Sequence, residues 1–340
     1  MPSTDAVAPY AVVTLAELLA GATDPVPLVD TAGKSGATLE RCTIDGEVRI
    51  VKYLDMAEDW TMRAAGVPGG ASLELWRRGI LHDLPDCFDQ PIIGVGLGCR
   101  APGGPEVTAL LMRDVSKSLV PVEDEPVPLA HHLQFLDHMA RLHAAFWRAG
   151  ERIDIVSPTD RYLELSPAMA AREAALGSDH LVPRLVGQGW PLLADVAPVA
   201  AEVVVPLAHD PTPLVRALAD TPQTLIHANF KLDNLGVTPE RRTAIFDWET
   251  SGRGAPTADL AWYLAINCRR LPQSKEDSIA AYRTSLEACG IDTEPWWERQ
   301  LALSLLGGLV QFGWEKAFGG LDAELLWWQD AALRASPLLR

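Results

Sequence analysis

Apolar and polar positions change their period along the chain. In TAGKSGATLERCTIDGEVRIVKYL, Asp45-Gly46 is a two-residue turn signal flanked by strand-like runs, which predicts strand, turn, strand. The strings PIIGVGLGC and EVTALLMRDV, joined by the turn APGGP, predict two further strands. Before them, ASLELWRRGILHDL carries Leu73, Trp76, Ile80 and Leu84 at helical spacing with Pro85 past the end. A short helix over Thr14–Leu19 and a Pro-rich connection, DPVPL, precede all of these. After SKSLVPVEDEPVP (116–128), which reads as a linker, the period becomes helical. One helix is predicted over Ala130–Arg148 with Leu136, Met139, His143 and Phe146 on a stripe, and others around Tyr162–Leu176, Leu193–Val205 and Pro213–Ala219, with three more after Leu260. Two short apolar lead-ins, Thr224-Leu225-Ile226 and Ala244-Ile245-Phe246, interrupt the series as paired strands whose loops carry polar side chains. The order predicts an α+β fold of two lobes, a small β-rich lobe over residues 1–114 and a larger, mainly helical lobe over 115–340, with a ligand cleft between them.

Charge narrows the partners. A formal net charge of −16 opposes nucleic acid and anionic membrane surfaces, both of which are held by clustered Lys and Arg, and it favours a cationic or neutral ligand. The five cysteines are far apart and include no C-x-x-C pair, so neither a zinc site nor a disulfide framework is expected. The N-terminal MPSTDAVAPYAV lacks the basic and apolar regions of a secretory signal, and the apolar run Leu301–Phe312 is too short to span a bilayer. A cytoplasmic protein with reduced thiols is the expectation. Composition sets no oligomeric state.

Candidate chemistry sits on a few polar residues in apolar surroundings. Lys52 shares a strand face with Val48, Ile50 and Leu54, where an ammonium needs a carboxylate or a bound anion. Glu74 on the following helix is the expected carboxylate, with Glu58 as its competitor. Gly33-Lys34-Ser35 is not a P-loop, because Leu28 stands where that motif needs glycine, yet Gly33, Ser35 and Gly36 leave backbone N–H groups open to a phosphate. The Gly94–Gly98 run lacks the third glycine and the helix of a dinucleotide fingerprint. His131, His132, His138 and His143 have no zinc-site spacing and read as core or surface residues; the late tryptophans, Trp296 to Trp328, read as core. Asn234 and Asp247 are two oxygen donors on neighbouring loops, the number that Mg²⁺ accepts from protein beside nucleotide phosphates. A helix opens at about Thr257, and Asp259 in its first turn caps it or braces the preceding loop.

Three strings together, H-A-N-F-K-L-D-N, I-F-D-W-E and G-x-P-x-x-D-L-A, resemble the aminoglycoside phosphotransferase and choline kinase family, which has the protein-kinase-like fold. The likeness extends to Lys52, Glu74, a hinge over Met112–Val115, and Leu142-His143-Ala144. It implies an ATP- and Mg²⁺-dependent kinase acting on a small-molecule hydroxyl. Asn234 and Asp247 would hold the metal, Lys52 the α/β-phosphates, and the hinge backbone around Arg113 and Asp114 the adenine, while His227 and Asp259 would support the loop. The acceptor would lie against Asn229, Asp233, Glu249 and late aromatic residues; an amino sugar or another cationic natural product suits the acidic balance, with a sugar, an amino alcohol or a peptide Ser/Thr as alternatives.

The chain departs from the family pattern at its third motif position, where the catalytic aspartate is Asn229 and the preceding glycine is Ala228. An amide orients a hydroxyl but cannot take its proton, and general-base assistance is worth about 10²–10⁴-fold. Phosphoryl transfer rests mainly on positioning and electrostatics, so activity can survive the loss. An enzyme without this base, a non-catalytic nucleotide binder and an engineered substitution all fit. Lys231, two residues on, is placed to meet the γ-phosphate, and Asp233 is the candidate substitute base.

Overall fold

A computed structural model of the chain describes residues 10–29 and 34–339. The start of the N-terminal stretch and Gly33 of the predicted phosphate turn lie outside these residues. In chain order the first part comprises β1 (Val12–Thr14), α1 (Leu15–Leu18), β2 (Thr23–Pro27), β3 (Thr38–Ile44), β4 (Glu47–Leu54), α2 (Trp60–Ala65), α3 (Ala71–Arg77), β5 (Phe88–Asp89), β6 (Ile92–Cys99) and β7 (Glu106–Arg113). The remainder is α4 (Leu129–Ala145), α5 (Pro158–Leu163), α6 (Pro167–Ala175), α7 (Leu181–Val196), α8 (Pro198–His209), α9 (Thr212–Ala219), β8 (Thr224–Ile226), β9 (Leu235–Val237), β10 (Thr243–Ile245), β11 (Gly252–Gly254), α10 (Pro256–Ile266), α11 (Lys275–Ala288), α12 (Trp297–Ala317) and α13 (Ala323–Ala335).

The N-terminal sheet has the order β1-β6-β7-β4-β3-β2, antiparallel except for β1 against β6. Asp45 and Gly46 both take positive φ, 52° and 77°, in the tight turn that joins β3 to β4. Alternation along β4 then divides its side chains. Val51 and Tyr53 pack under α1 with Ala109 and Leu111, whereas Ile50 and Leu54 face the main core beside α3. Lys52 therefore faces the same way as Ile50, toward the helical lobe.

Three expectations change. DPVPL is not a loop: Thr23–Pro27 forms the edge strand β2, where prolines are tolerated because one row of N–H groups has no partner strand. The segment Leu193–Val205 is broken at Ala197, whose φ of −140° and ψ of 65° are non-helical, since Pro198 bars the residue before it from the helical region, so α7 ends and α8 begins there. The two apolar lead-ins do not pair with each other; β8 pairs with β11, and β10 with β9 and β5. The 116–128 segment is tied at both ends to the helical lobe, by Val120 N–H to Leu235 O at 2.9 Å and Val127 N–H to Arg270 O at 3.0 Å.

Candidate active site

The loop after β8 is set by one carboxylate. Ala228 has φ of 64°, a left-handed conformation that costs a non-glycine residue about 1–2 kcal/mol. Asp259, in the first turn of α10, holds it there, accepting from the His227 N–H at 2.7 Å and the Ala228 N–H at 2.6 Å. Asp259 also accepts from His143 Nε2 at 3.1 Å, and His143 Nδ1 accepts from the Tyr282 hydroxyl at 2.6 Å. Burial raises the Asp259 carboxyl, but these hydrogen bonds and nearby imidazoles hold it below its ordinary range. His227 donates from Nε2 to Phe246 O at 3.1 Å and accepts the Asn229 N–H at 3.2 Å, which fastens this loop to the one carrying Asp247.

Four of the expected residues converge where the two loops meet β4. Lys52 Nζ donates to Asp247 Oδ1 at 2.6 Å, and Asn229 Nδ2 donates to Asp247 Oδ2 at 2.8 Å. Asn234 Nδ2 donates to the Asn229 carbonyl at 3.0 Å and lies 3.4 Å from Asp247 Oδ2. Asp247 has a φ of 67°, a second strained residue at the same point. Burial pushes the Lys52 ammonium down, but Asp247, then Glu249 and Asp59, outweigh it and hold Lys52 well above its usual value. Burial likewise opposes ionisation of Asp247, yet Lys52 and Lys231 keep it well below the usual carboxylate range. The pair is ionised, and Asp247 presents a permanent negative charge.

This cluster is at the base of a cleft of about 660 Å³. Its lining takes Leu39 and Ile50 from the N-terminal sheet, Met112, Arg113 and Asp114 at the end of β7, and Ser35; from the rest of the chain it takes Phe246, Glu164, Trp262, Phe312 and Trp314 together with Asn229, Lys231 and Asp233. Ser35 accepts from the Ala37 N–H at 3.2 Å. The Arg113 guanidinium is committed to Asp89 at 2.7 Å and its N–H to Pro91 O at 3.0 Å. Asp114 accepts from the Ser116 N–H at 3.0 Å. Among the described residues no group of three His, Cys, Asp or Glu side chains is arranged to hold a metal ion. His132, His138 and His143 are buried and hydrogen-bonded to Tyr, Ser, Thr and Asp side chains.

Two expected residues are elsewhere. Glu74 does not reach Lys52; it pairs with Arg77 at 3.0 Å and Arg78 at 3.4 Å on its own helix. Residues two apart on a helix stand about 200° apart, so the phase that buries Leu73 and Trp76 turns Ser72 inward and Glu74 away. Glu249 does not line the cleft. It is buried behind it, hydrogen-bonded to Ser72 Oγ, and burial, opposed by Lys52, raises its carboxyl to about 7.

Sequence reading missed Glu164 and Trp262. Glu164 is buried and accepts from Arg161 Nη1 at 2.7 Å, while the Arg161 guanidinium sits 4.1 Å from the Trp262 ring centre. Burial raises the Glu164 carboxyl against the pull of Arg161. A charged residue between Leu163 and Leu165 at a helix end was the available signal.

A sequence profile described as the phosphotransferase enzyme family matches residues 110–289, just over half of the chain. No curated protein matches in sequence. Among solved structures, the microcompartment-associated aminopropanol kinase is 15% identical, with 93% of this chain and 91% of that one aligned at a TM-score of 0.50. A choline kinase from Streptococcus pneumoniae is 11% identical over 95% of each chain, TM-score 0.49. An aminoglycoside phosphotransferase in ternary complex with ADP and hygromycin B is 14% identical over 95% of this chain and 97% of its own, TM-score 0.49. At 15% identity the likeness to the aminopropanol kinase is one of fold. The profile spans the linker, both loops and the α10 brace, and by that match the chain belongs to the phosphotransferase enzyme family.

Proposed function

We propose that the protein transfers the γ-phosphoryl group of ATP, with Mg²⁺, to a hydroxyl of a small molecule. In this reading residues 1–114 serve the nucleotide and residues 115–340 carry the catalytic loops and the acceptor site. The observation that carries it is the convergence of Lys52, Asn229, Asn234 and Asp247 at the base of one cleft.

Asn234 and Asp247 offer only oxygen donors on facing loops, and Asp247 is held ionised, a set suited to a hard cation that keeps waters and phosphate oxygens as its other ligands. Bound there, Mg²⁺ neutralises charge on the phosphates. Lys52 holds a phosphate oxygen, the hinge Met112–Val115 and Leu39 with Ile50 enclose the base, and Lys231 stabilises charge on the transferring group. Asn229 orients the acceptor hydroxyl. The acceptor end combines carboxylates, Glu164 and Asp233, with Trp262, Phe312 and Trp314, a lining that favours a cationic acceptor such as an amino sugar.

Asn229 supports a second reading, a nucleotide-binding regulator without turnover, because its amide is directed at Asp247 and cannot serve as a base. Turnover of Mg-ATP with a panel of amino sugars and amino alcohols, beside calorimetric ATP binding, separates the two. The enzyme turns over at least one acceptor, and Asn229→Asp raises its kcat about 10²-fold or more. ATP binding without turnover in the parent, restored by Asn229→Asp, selects the regulator; no ATP binding overturns both.

A further inference from the structure

Kinase-like sites need a carboxylate to hold the phosphate-binding lysine, and they commonly take it from a helix of the nucleotide lobe. Here that helix offers none. α3 turns Ser72 inward, and Ser72 Oγ donates to Glu249 Oε1 across the lobe boundary, with both residues buried. The other oxygen, Glu249 Oε2, is also buried and has no hydrogen-bond partner among the described residues. The backbone leaves room for it: a Cβ at Gly70, whose φ is +91°, would lie 2.6 Å from this oxygen. The same Cβ position lies 2.8 Å from Leu54 Cδ1, so Glu249 Oε2 stands beside the face of β4 that carries Lys52 two residues before Leu54, and Lys52 is now paired with Asp247. Asp247, however, is the residue proposed above to face the metal and phosphates. A lysine held there would compete with them, whereas a lysine drawn to Glu249 would not. Asp59 Oδ2 is likewise buried without a partner among the described residues, but that carboxylate is anchored at the start of α2, where its Oδ1 caps the helix through the Thr61 and Met62 N–H groups.

We infer that Glu249, carried by the loop after Asp247, is the residue that positions Lys52 when nucleotide is bound, and that α3 contributes only the Ser72 hydroxyl that orients it. Glu249 is thus a positioning residue, acting on phosphate through Lys52. The inference rests on the nucleotide-binding reading above.

The test is calorimetric ATP affinity, measured in EDTA and again in excess Mg²⁺, for the parent, Glu249→Gln, Ser72→Ala and the exchange variant S72E/E249S, with circular dichroism to verify folding. Glu249→Gln weakens ATP binding about tenfold in both buffers. The exchange variant, which moves the carboxylate onto α3 and keeps a hydroxyl opposite it, recovers most of that loss; a merely structural role is told apart by Glu249→Gln, which keeps a hydrogen-bonding group beside Ser72 and loses ATP affinity while remaining folded. Ser72→Ala, which deletes only the hydroxyl, weakens binding by a smaller factor and carries the test if Glu249→Gln does not fold. Unchanged affinity in EDTA for Glu249→Gln, including a loss confined to the Mg²⁺ buffer that would make Glu249 a metal ligand, overturns the inference. So does a folded exchange variant with no recovery, or unchanged affinity in Ser72→Ala where that variant carries the test. A parent that binds no ATP overturns the nucleotide reading itself, and this assignment with it.

Discussion

Asp259 shows how much one side chain can fix. Its two oxygens take two backbone N–H groups of a strained loop and one imidazole, and every partner is shielded from water. Replacing one oxygen by an amide NH₂ would set a donor against donors, so Asp259→Asn is expected to destabilise the protein by about 2–4 kcal/mol. Denaturant midpoints at constant m-value measure this; a change below about 0.5 kcal/mol would mean the loop holds its shape without the brace. Asp233 is a different case. It lines the cleft, and as a substitute base it would have to work beside Asn234. Asp233→Ala with unaltered kcat excludes it from proton transfer, and a fall of about 10²-fold or more at constant KM assigns it that role.

At the scale of elements, α3 was legible as a helix and its facing residue was not. Leu73 and Trp76 announce the core face by their spacing and are buried, but the helix expected to continue through Ile80 to Leu84 ends at Arg77, and Ile80 is buried in a separate turn after Gly79, whose φ is 69°. The carboxylate that meets Lys52 cannot be read this way, because a glutamate two residues from the inward position has the right composition and the wrong phase. Asn229, Asn234 and Asp247 were legible as a group because they stand in short motifs, and Lys52 because strand alternation sets an ammonium on an apolar face, although the loops themselves are held by Asp259 from 31 and 32 residues away. Glu249 meets Ser72 across 177 residues of chain, a contact no local pattern encodes, whereas Glu164 pairs with Arg161 three residues away and only its place on the cleft wall depends on distant elements. The junction before α3 is equally specific. Gly70 has φ of 91° and ψ of 153°, a region essentially closed to residues with a Cβ, and its neighbours are Glu249 Oε2 at 2.6 Å and Leu54 Cδ1 at 2.8 Å from the position a Cβ would take. Gly70→Ala should therefore cost at least about 2 kcal/mol. Gly103, φ of 76° with open space around it, is the control and should cost about 1 kcal/mol. Equal losses in thermal unfolding would mean that crowding at Gly70 contributes nothing.

Across the whole molecule, buried histidines couple the helical lobe to pH. His132 joins α4 to α10 and α11 through Tyr263 at 2.8 Å and Ser278 at 2.9 Å, and His138 joins α4 to β10 through Thr243 at 2.7 Å. Burial holds His132, His138 and His227 down at about 4 from an ordinary 6.5. The unfolded chain thus binds protons that the folded one refuses between those values. The stability each neutral ring supports is present in full above about pH 6.5 and is lost as pH falls toward about 4, at up to about 1.4 kcal/mol per unit for each histidine. Glu249 and Glu164, raised by burial, work in the opposite sense, because the folded protein holds their protons at a pH where the unfolded chain has released them. These protons offset part of the histidine slope while Asp247 and Asp259, held below the ordinary carboxylate range, add to it as the pH nears 4, and a single variant isolates one histidine. His138→Gln removes the titrating ring and can keep an amide bonded to Thr243. It should be less stable than the parent at pH 7, and the gap should narrow steadily between about pH 6.5 and 4 as the parent loses what His138 supplies. Urea unfolding of both proteins at half-unit intervals reads the gap directly. A gap that stays constant over this range would show that His138 protonates alike in the folded and unfolded chains, and that α4 is held to β10 by packing without any cost from the buried ring.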